Sequence, residues 1–203
     1  MIDLVPVVLE GHGVRLEPLE RAHTGALVAA AGGRDGQIAS LWFISASDLA
    51  TGREQQYMDV ALQGQQAGHM LGWVVRELTT GEIIGTTRYH DIVPEIDRVE
   101  VGYTFYGERW QRTHVNTACK LLLLTHAFEA LGCQVVGFRV DNLNARSQQA
   151  VEAIGAKRDG IVRHFQARRD GSARDTYIYS IIASEWPGVK TRLEDRLRRL
   201  LPR

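Results

Sequence analysis

The stretch from Trp110 to Gly132, WQRTHVNTACKLLLLTHAFEALG, limits the possible folds of this chain more than any other segment. Its leucine and phenylalanine residues recur at helical spacing, which predicts a helix with one buried face. Asn116 and Thr117 suit the N-cap of that helix, and Gly132 suits its end. The preceding segment, 98–106, is rich in β-branched and aromatic residues and predicts a strand. The core of the chain is therefore expected to contain a strand, a short loop and a long apolar helix.

This arrangement is one that proteins use to hold a phosphate group. The first N–H groups of a helix have no partner within the helix, and the helix dipole adds positive potential at the same end. The same arrangement also occurs in α/β proteins as plain packing, so local pattern alone leaves both interpretations open.

The rest of the chain predicts a mixed sheet. Strands are expected at 14–19, 71–78, 83–90, 133–140, 157–167 and 176–182, with hairpins across Gly81 and Gly171. Helices are expected at 20–31, from a capping box of Thr51 and Glu54 to Gly68, from Asn144 to Gly155, and after Pro187. The order predicts one α/β domain over 1–203, with a mostly antiparallel mixed sheet, helices on both faces and a C-terminal amphipathic helix at 186–201.

Composition excludes several classes of protein. The 203 residues carry 24 Lys+Arg against 24 Asp+Glu, so the charge balance implies no nucleic-acid or acidic-membrane partner. A hydrophobic content of 44% argues against disorder. No apolar run has the ~20 residues of a membrane span, and the N-terminus is a poor secretory signal. Cys119 and Cys133 are expected to be buried free thiols, which fits a cytoplasmic protein.

Five local patterns, in this order, resemble one known family. They are Glu100-Val-Gly-Tyr103, Trp110, Asn116-Thr117, Asp141-Asn-Leu-Asn-Ala-Arg-Ser147, and Arg174-Asp-Thr176 with Glu185-Trp-Pro187. Together they are similar to the GNAT superfamily of acyl-CoA-dependent N-acetyltransferases, and to its RimJ/RimL-like (ribosomal-protein-alanine acetyltransferase) branch. The resemblance implies a GNAT-like fold and transfer of an acetyl group from acetyl-CoA to a primary amine in a ternary complex.

The resemblance also implies where acetyl-CoA binds. Backbone N–H groups of the loop and helix start would hold its phosphates, at Arg112, Thr113, His114, Val115 and Asn116. The family has small residues where this chain has Thr113 and Val115, but the N–H groups remain. Arg112 would add a charged donor.

The remaining roles concern the pantetheine arm and the reaction itself. Backbone groups near Tyr103 and Phe105 would align the pantetheine arm, and Asn144 would pair with its amides. Glu100 is the candidate base, with a surface salt bridge as the equal alternative, because strand alternation puts Glu100 and Gly102 opposite Val101 and Tyr103.

The family's leaving-group tyrosine is replaced by Val151, so Ser147 is the candidate donor to the sulfur or to a pantetheine amide. The histidines, including His90 and His164, lack metal-ligand spacing, so no metal is expected.

Three matters stay open in the sequence. The acceptor is either a protein N-terminus or a small-molecule amine, and the Trp42-Phe43 segment offers a pocket for a bulkier acyl group. The alternative function is a non-catalytic CoA-binding or protein-interaction module with a degenerate cofactor loop. The C-terminal helix is expected to pack on its own domain, with homodimer formation as the second use.

Overall fold

The structure is a computed structural model, and it describes residues 5–33, 36–41, 46–168 and 170–201. The strands are β1 (Leu9–Gly11), β2 (Val14–Pro18), β3 (Met70–Glu77), β4 (Ile83–Val93), β5 (Arg98–Tyr106), β6 (Val135–Asp141), β7 (Lys157–Ala167) and β8 (Ala173–Ile182). The α-helices are α1 (Thr24–Ala31), α2 (Gln37–Ser40), α3 (Ser47–Ala50), α4 (Glu54–Gln66), α5 (Val115–Thr125), α6 (Ala145–Ala153) and α7 (Trp186–Leu200).

All eight strands form one sheet, in the order β1-β2-β3-β4-β5-β6-β8-β7. Neighbouring strands are antiparallel except for β5 and β6, which are parallel. That parallel pairing covers only residues 98–100 of β5 and 135–137 of β6. Beyond it the two strands separate, and a cleft opens in the middle of the sheet. The mixed sheet with helices on both faces confirms the predicted fold class.

Two hydrophobic cores lie on opposite faces of the sheet. The first lies beneath α5, α6 and α7 and contains Trp73, Leu123 and Leu193. The second lies beneath α1, α3 and α4 and contains Leu27 and Met58. We call these the α5 face and the α4 face of the sheet. Elements from both cores meet at β5, so this strand is covered on both sides beside the cleft.

Two helix starts differ from the prediction. Helix α5 begins at Val115 with His114 as N-cap and no side-chain cap, so Asn116 lies inside the helix and its predicted cap role is wrong. The capping box at Thr51 is also wrong, because the Thr51 hydroxyl donates to Ser47 O at 2.8 Å and so closes α3, a helix that the pattern did not reveal. A hydroxyl can serve either side of a short loop, and local sequence does not decide which.

The ends of helices and the tight turns follow the sequence closely. Gly81, Gly132 and Gly155 all have positive φ, as the predicted turn and helix ends require. Beyond α5 the backbone continues as a π-helical turn, His126–Ala130, before Gly132.

The two cysteines and the C-terminal helix also behave as predicted. Cys119 and Cys133 are free and buried. Trp186 donates to Glu129 Oε1 at 2.7 Å, and Leu193 and Leu197 of α7 lie in the first core. The C-terminal helix therefore packs on its own domain, although Leu200 on the same predicted face is 41% exposed.

Candidate functional site

The candidate site is the cleft where β5 leaves β6. The last paired residues are Glu100 on β5 and Gly137 on β6, so none of the described strands pairs with the edge of β5 after Glu100 on the β6 side. Gly102, Tyr103 and Thr104 are half-buried there, at the cleft. Unpaired strand N–H and C=O groups bind extended ligands well, because they offer the same hydrogen bonds as another strand.

A bulge in β5 changes which side chains face each way. Tyr103 has φ +52°, and the β4–β5 register shifts between Arg88 and Thr86. Tyr103 therefore lies on the α4 face with Gly102: its ring meets the His90 ring edge-on at 5.1 Å, and the Arg88 guanidinium lies 4.7 Å from the Tyr103 ring centre. The alternation predicted for Tyr103 is wrong, since a bulge places two consecutive residues on one face.

The loop into α5 offers unpartnered backbone donors. Among the described residues, no hydrogen-bond acceptor is found for the N–H groups of Arg112, Thr113, His114, Asn116 or Thr117. The first helical bond is donated by Ala118 to His114 O at 2.9 Å. Four of these donors belong to the predicted phosphate loop, and Thr117 extends the set. Val115 differs, because its N–H contacts the Thr113 hydroxyl at 3.3 Å.

The larger residues in the loop leave the backbone donors open. Val115 is fully buried in the first core. The Thr113 hydroxyl turns back to donate to Trp110 O at 2.7 Å. Arg112 is exposed with φ +62°, and His114 Nε2 packs against the β1–β2 turn at Gly13. The larger side chains of Thr113 and Val115, which replace the family's small residues, therefore do not fill the space in front of the N–H groups.

On the α4 face, Glu100 sits in a network of charges. It is 5% exposed, accepts a bond from Arg98 Nη2 at 2.8 Å, and has Oε2 2.6 Å from Arg139 Nε. Arg139 also pairs with Asp91, and its Nη2 lies 3.2 Å from His90 Nδ1. Glu100 is thus in salt bridges as the alternative expected, but it is buried and faces the cleft rather than solvent.

His90 is a site residue to which sequence reasoning gave no role. Its Nδ1 lies 2.5 Å from Asp91 Oδ2, and its Nε2 lies directly above Gly102 at the cleft. Burial lowers the His90 pKa to about 4, with Glu100 opposing that shift and Arg139 adding to it. His90 is therefore neutral near pH 7. With Nδ1–H assigned to the Asp91 bond, the Nε2 lone pair is left to accept a proton.

The same three side chains also contain potential metal ligands. Ligand atoms of His90, Asp91 and Glu100 lie within 4.8 Å of one another. The Arg139 guanidinium already contacts all three groups. A cation is therefore already in place, and the cluster needs no metal to balance its charge.

Helix α6 forms the far side of the cleft. The Asn144 side chain caps it by accepting from Ser147 N–H at 3.0 Å, which confirms the predicted cap. The Ser147 side chain is half-buried, and no partner for its hydroxyl lies among the described residues. Arg146 joins the loop to α2, donating to Gln111 at 2.6 Å and to Gln37 at 3.2 Å. Val151 packs in the first core, at the position where the family has its tyrosine.

On the α5 face, Lys120 is a second residue that sequence reasoning did not place near the cleft. It is buried on α5 and donates to Thr104 Oγ1 at 3.0 Å. The helical pattern contains this lysine but does not show that it lies against β5.

The Trp42-Phe43 segment lies outside the described residues. In the part of the chain that the structure describes, no helix has both the length and the apolar character of a membrane span.

Comparison with known proteins gives consistent results. A family model described as Acetyltransferase (GNAT) domain matches residues 14–157. The uncharacterized N-acetyltransferase YoaA of Bacillus subtilis strain 168 is 27% identical over 110 residues, which cover 54% of this chain and 61% of YoaA. The match therefore spans less than two thirds of that relative.

Solved structures agree over nearly the whole chain. An acetyltransferase candidate from T. thermophilus is 34% identical with a TM-score of 0.80, covering 97% of this chain and 100% of the other. Mycobacterium smegmatis RimJ, solved in complex with CoA-disulfide, is 18% identical with a TM-score of 0.77, covering 94% and 95%. The RimJ likeness concerns the fold.

Proposed function

We propose that this chain, which belongs to the GNAT acetyltransferase family and is an acyltransferase, moves an acetyl group from acetyl-CoA to a primary amine. The observation that carries the proposal is the set of free N–H groups at the start of α5, next to the open edge of β5. A diphosphate needs converging donors, and an extended pantetheine arm needs an unpaired strand edge. The RimJ complex with CoA-disulfide supports the same ligand class.

The residues present fit acetyl-CoA. Thr113 and Val115 were the argument for a degenerate loop, and both side chains turn away from the donors. The alternative function, a non-catalytic interaction module, therefore loses its main support. Bound acetyl-CoA supplies an activated thioester, and this chain aligns it along β5 through backbone groups near Tyr103 and Phe105.

Two groups on the α4 face can take the proton from the attacking amine. Glu100 is the predicted base, but two guanidinium groups already lie against its carboxylate oxygens, with Arg98 Nη2 at 2.8 Å and Arg139 Nε at 2.6 Å. The neighbouring His90 Nε2 points at Gly102 and is neutral near pH 7. We assign removal of the amine proton to the pair of His90 and Glu100. Within this pair, Glu100 holds Arg139 and His90 in position. If Glu100→Gln leaves the pH–rate profile unchanged, Glu100 has no part in the mechanism.

The acceptor side carries balanced rather than acidic charge. Arg98, Arg139 and Arg174 face Asp91, Glu100 and Asp141 around the cleft. A strongly acidic mouth would favour polyamines or aminoglycosides, and the described residues do not form one. A peptide N-terminus or an amino-acid-like amine fits this side better.

Isothermal titration calorimetry with acetyl-CoA and with free CoA tests the proposal. Micromolar binding is expected, and no detectable binding would reject the enzymatic function. Asn116→Pro removes one donor N–H in the first turn, where proline is tolerated. It is expected to weaken binding about tenfold, in line with the loss of one charge-assisted bond. The control is Asn116→Ala, which keeps the N–H and is expected to bind as the wild type does.

Thiol release with an amine panel then identifies the acceptor. The panel holds short peptides with free N-termini, amino acids, polyamines and aminoglycosides. In the same assay, Ser147→Ala tests the donor on α6: turnover as fast as the wild type would exclude Ser147 from any role.

A further inference from the structure

Lys120 is a buried lysine beside the cleft that the roles above do not use. It is the sixth residue of α5 and is 6% exposed. Its ammonium donates to Thr104 Oγ1 at 3.0 Å. Thr104 belongs to the part of β5 that has separated from β6, so Lys120 is one hydroxyl away from the open strand edge.

Thr104 can pass a proton in either direction. Its oxygen accepts from Lys120, lies 2.7 Å from Thr87 Oγ1, and can donate to Gly102 O at 3.3 Å. A hydroxyl that accepts one proton while it donates another is the minimal proton relay. The Gly102 bond is long, so the hydroxyl proton is free to turn towards a stronger acceptor in the cleft.

The charge on Lys120 is not balanced by an acid. Among the described residues, no carboxylate lies within ion-pair distance of its ammonium. On β4 and β5, Lys120 contacts the Thr104 hydroxyl, and Thr87 lies next to that hydroxyl; Cys119, which precedes Lys120 on α5, contacts the phenol of Tyr106. Burial raises the Tyr106 pKa well above its usual value and that of Cys119, on α5 itself, to about 12. All of these neighbours are neutral near pH 7.

An unbalanced buried ammonium is costly, and the cost falls when negative charge forms nearby. Amide formation from a thioester produces such a charge, on the departing sulfur. Burial lowers the Lys120 pKa to about 8, with Cys119 opposing that shift. A simple thiol has a pKa of about 8.5, so a proton transfer between the two groups is nearly balanced in energy.

We propose that Lys120, acting through the Thr104 hydroxyl, protonates the departing thiolate of CoA. The proposal rests on the acetyl transfer proposed above. The amine nitrogen forms the C–N bond, and the C–S bond breaks with its electron pair on sulfur. The Thr104 proton moves to the sulfur, and a Lys120 proton replaces it. The new amide nitrogen releases its extra proton through the His90 side to water, and neutral Lys120 recovers a proton from water. In this assignment Lys120 is a positioning residue that acts through Thr104, and Thr104 is the residue that would contact the sulfur.

The relay from Lys120 through Thr104 and the residues of α6 have different roles. The Val151 side chain has no proton to donate. Among the described residues, no ionisable group is hydrogen-bonded to the Ser147 hydroxyl, so none could resupply its proton. Ser147 is then left to bind a pantetheine amide.

Kinetics of Lys120→Met with acetyl-CoA and the best amine of the panel give the first test. We expect kcat to fall about 100-fold while KM for acetyl-CoA changes less than about threefold. In the pH–rate profile of the wild type, kcat should fall as pH rises through about 8, where Lys120 loses its proton. The profile of the variant should lack this alkaline limb. Lys157→Met, which removes an exposed lysine, is the matched control and should behave as the wild type. An unchanged kcat, or a limb that persists in Lys120→Met, would overturn the proposal.

The second test needs no turnover. The ultraviolet thiolate band of bound CoA is followed against pH in wild type, Lys120→Met and Lys120→Arg. Loss of the cation should raise the pH at which bound thiolate forms by about one unit or more. Lys120→Arg keeps the charge but cannot release a proton near pH 8, so it should preserve the thiolate titration and still lose kcat.

Thermal unfolding confirms that each variant is folded before either test. If wild type and Lys120→Met bind CoA with identical thiolate titrations, the relay is wrong while the proposed function stands. If wild type binds no CoA at all, the proposed function and the relay are both wrong.

Discussion

Two buried charged side chains, Glu100 and Lys120, lie beside the cleft on opposite faces of β5, and their surroundings differ. Glu100, on the α4 face, has guanidinium groups of Arg98 and Arg139 at 2.8 and 2.6 Å. Among the described residues, the only side-chain hydrogen bond of Lys120, on the α5 face, goes to the Thr104 hydroxyl. Two guanidinium groups balance the negative charge of Glu100, whereas no described carboxylate balances the positive charge of Lys120.

This difference separates a structural charge from a reactive one. Removing one partner of a buried ion pair is costly, because the other charge is left buried and unpaired. A buried ion without an opposite charge is close to losing its proton, which is what a proton donor requires. The α4 face is therefore suited to orienting groups around the acceptor amine. The α5 face is suited to neutralising the negative charge that forms on the CoA sulfur.

The largest effect on stability is expected from Glu100→Gln. Removing one partner from a buried ion pair costs about 3–5 kcal/mol, and we expect about 4 kcal/mol here. Urea denaturation gives the free energy of unfolding. The matched control is Glu82→Gln, which breaks an exposed pair with Arg109 and should cost less than about 1 kcal/mol. A loss for Glu100→Gln as small as the control's would show that the network is not structural.

Lys120→Met is expected to shift stability the other way. The lowered pKa of Lys120 means that burying the ammonium costs about 3 kcal/mol, so after loss of the Thr104 bond the variant should gain about 2 kcal/mol at pH 7. Below pH 8 both native and unfolded states hold the proton, and the cost is complete. Between pH 8 and 10.5 only the unfolded state holds it, so wild-type stability rises and the gain should disappear.

Urea denaturation of wild type and Lys120→Met across that range measures the gain directly. A variant less stable than wild type at pH 7 would mean that the Thr104 bond outweighs the buried charge. The contrast between the two faces would then fail.

The smallest expected effect concerns His90 and acid. The unfolded side chain takes up a proton near pH 6.5, whereas the native one does so only near pH 4, because burial lowers its pKa. Acidification over that window therefore lowers stability, by about 2 kcal/mol at pH 5. In His90→Gln this part of the acid sensitivity should be absent when unfolding is compared at about pH 7 and pH 5. Equal acid sensitivity in both proteins would show that His90 is already protonated or accessible.

Much of the fold could be predicted because local physics fixes it. Strand β5 was predicted at its observed bounds, since β-branched and aromatic residues fill it, and Gly81 and Gly132 marked a turn and a helix end that need positive φ. Asn144 was identified as a cap because its side chain bonds a donor only three residues away. These features depend on a few neighbouring residues, so they can be identified from the sequence directly.

The site was predictable only in part, because its geometry depends on residues far apart in the chain. The resemblance to the GNAT superfamily, and not the order of elements alone, implied the loop donors, and the inward turn of Val115 was not foreseen. The bulge at Tyr103, which reverses its face, appears in the pairing of β5 with β4. Gly102, the residue before it, is a typical bulge signal, but the sequence does not say which side chain changes face.

The sequence by itself determined most of the longer strands and helices, their order and the family to which they belong, whereas the short elements β1, α2 and α3 were not predicted. Only the tertiary structure decided which charges are paired. Glu100 meets Arg139 across 39 positions of sequence, and Lys120 meets Thr104 across 16. Whether a buried charge finds a partner depends on three-dimensional packing, and at this cleft that packing sets the chemistry.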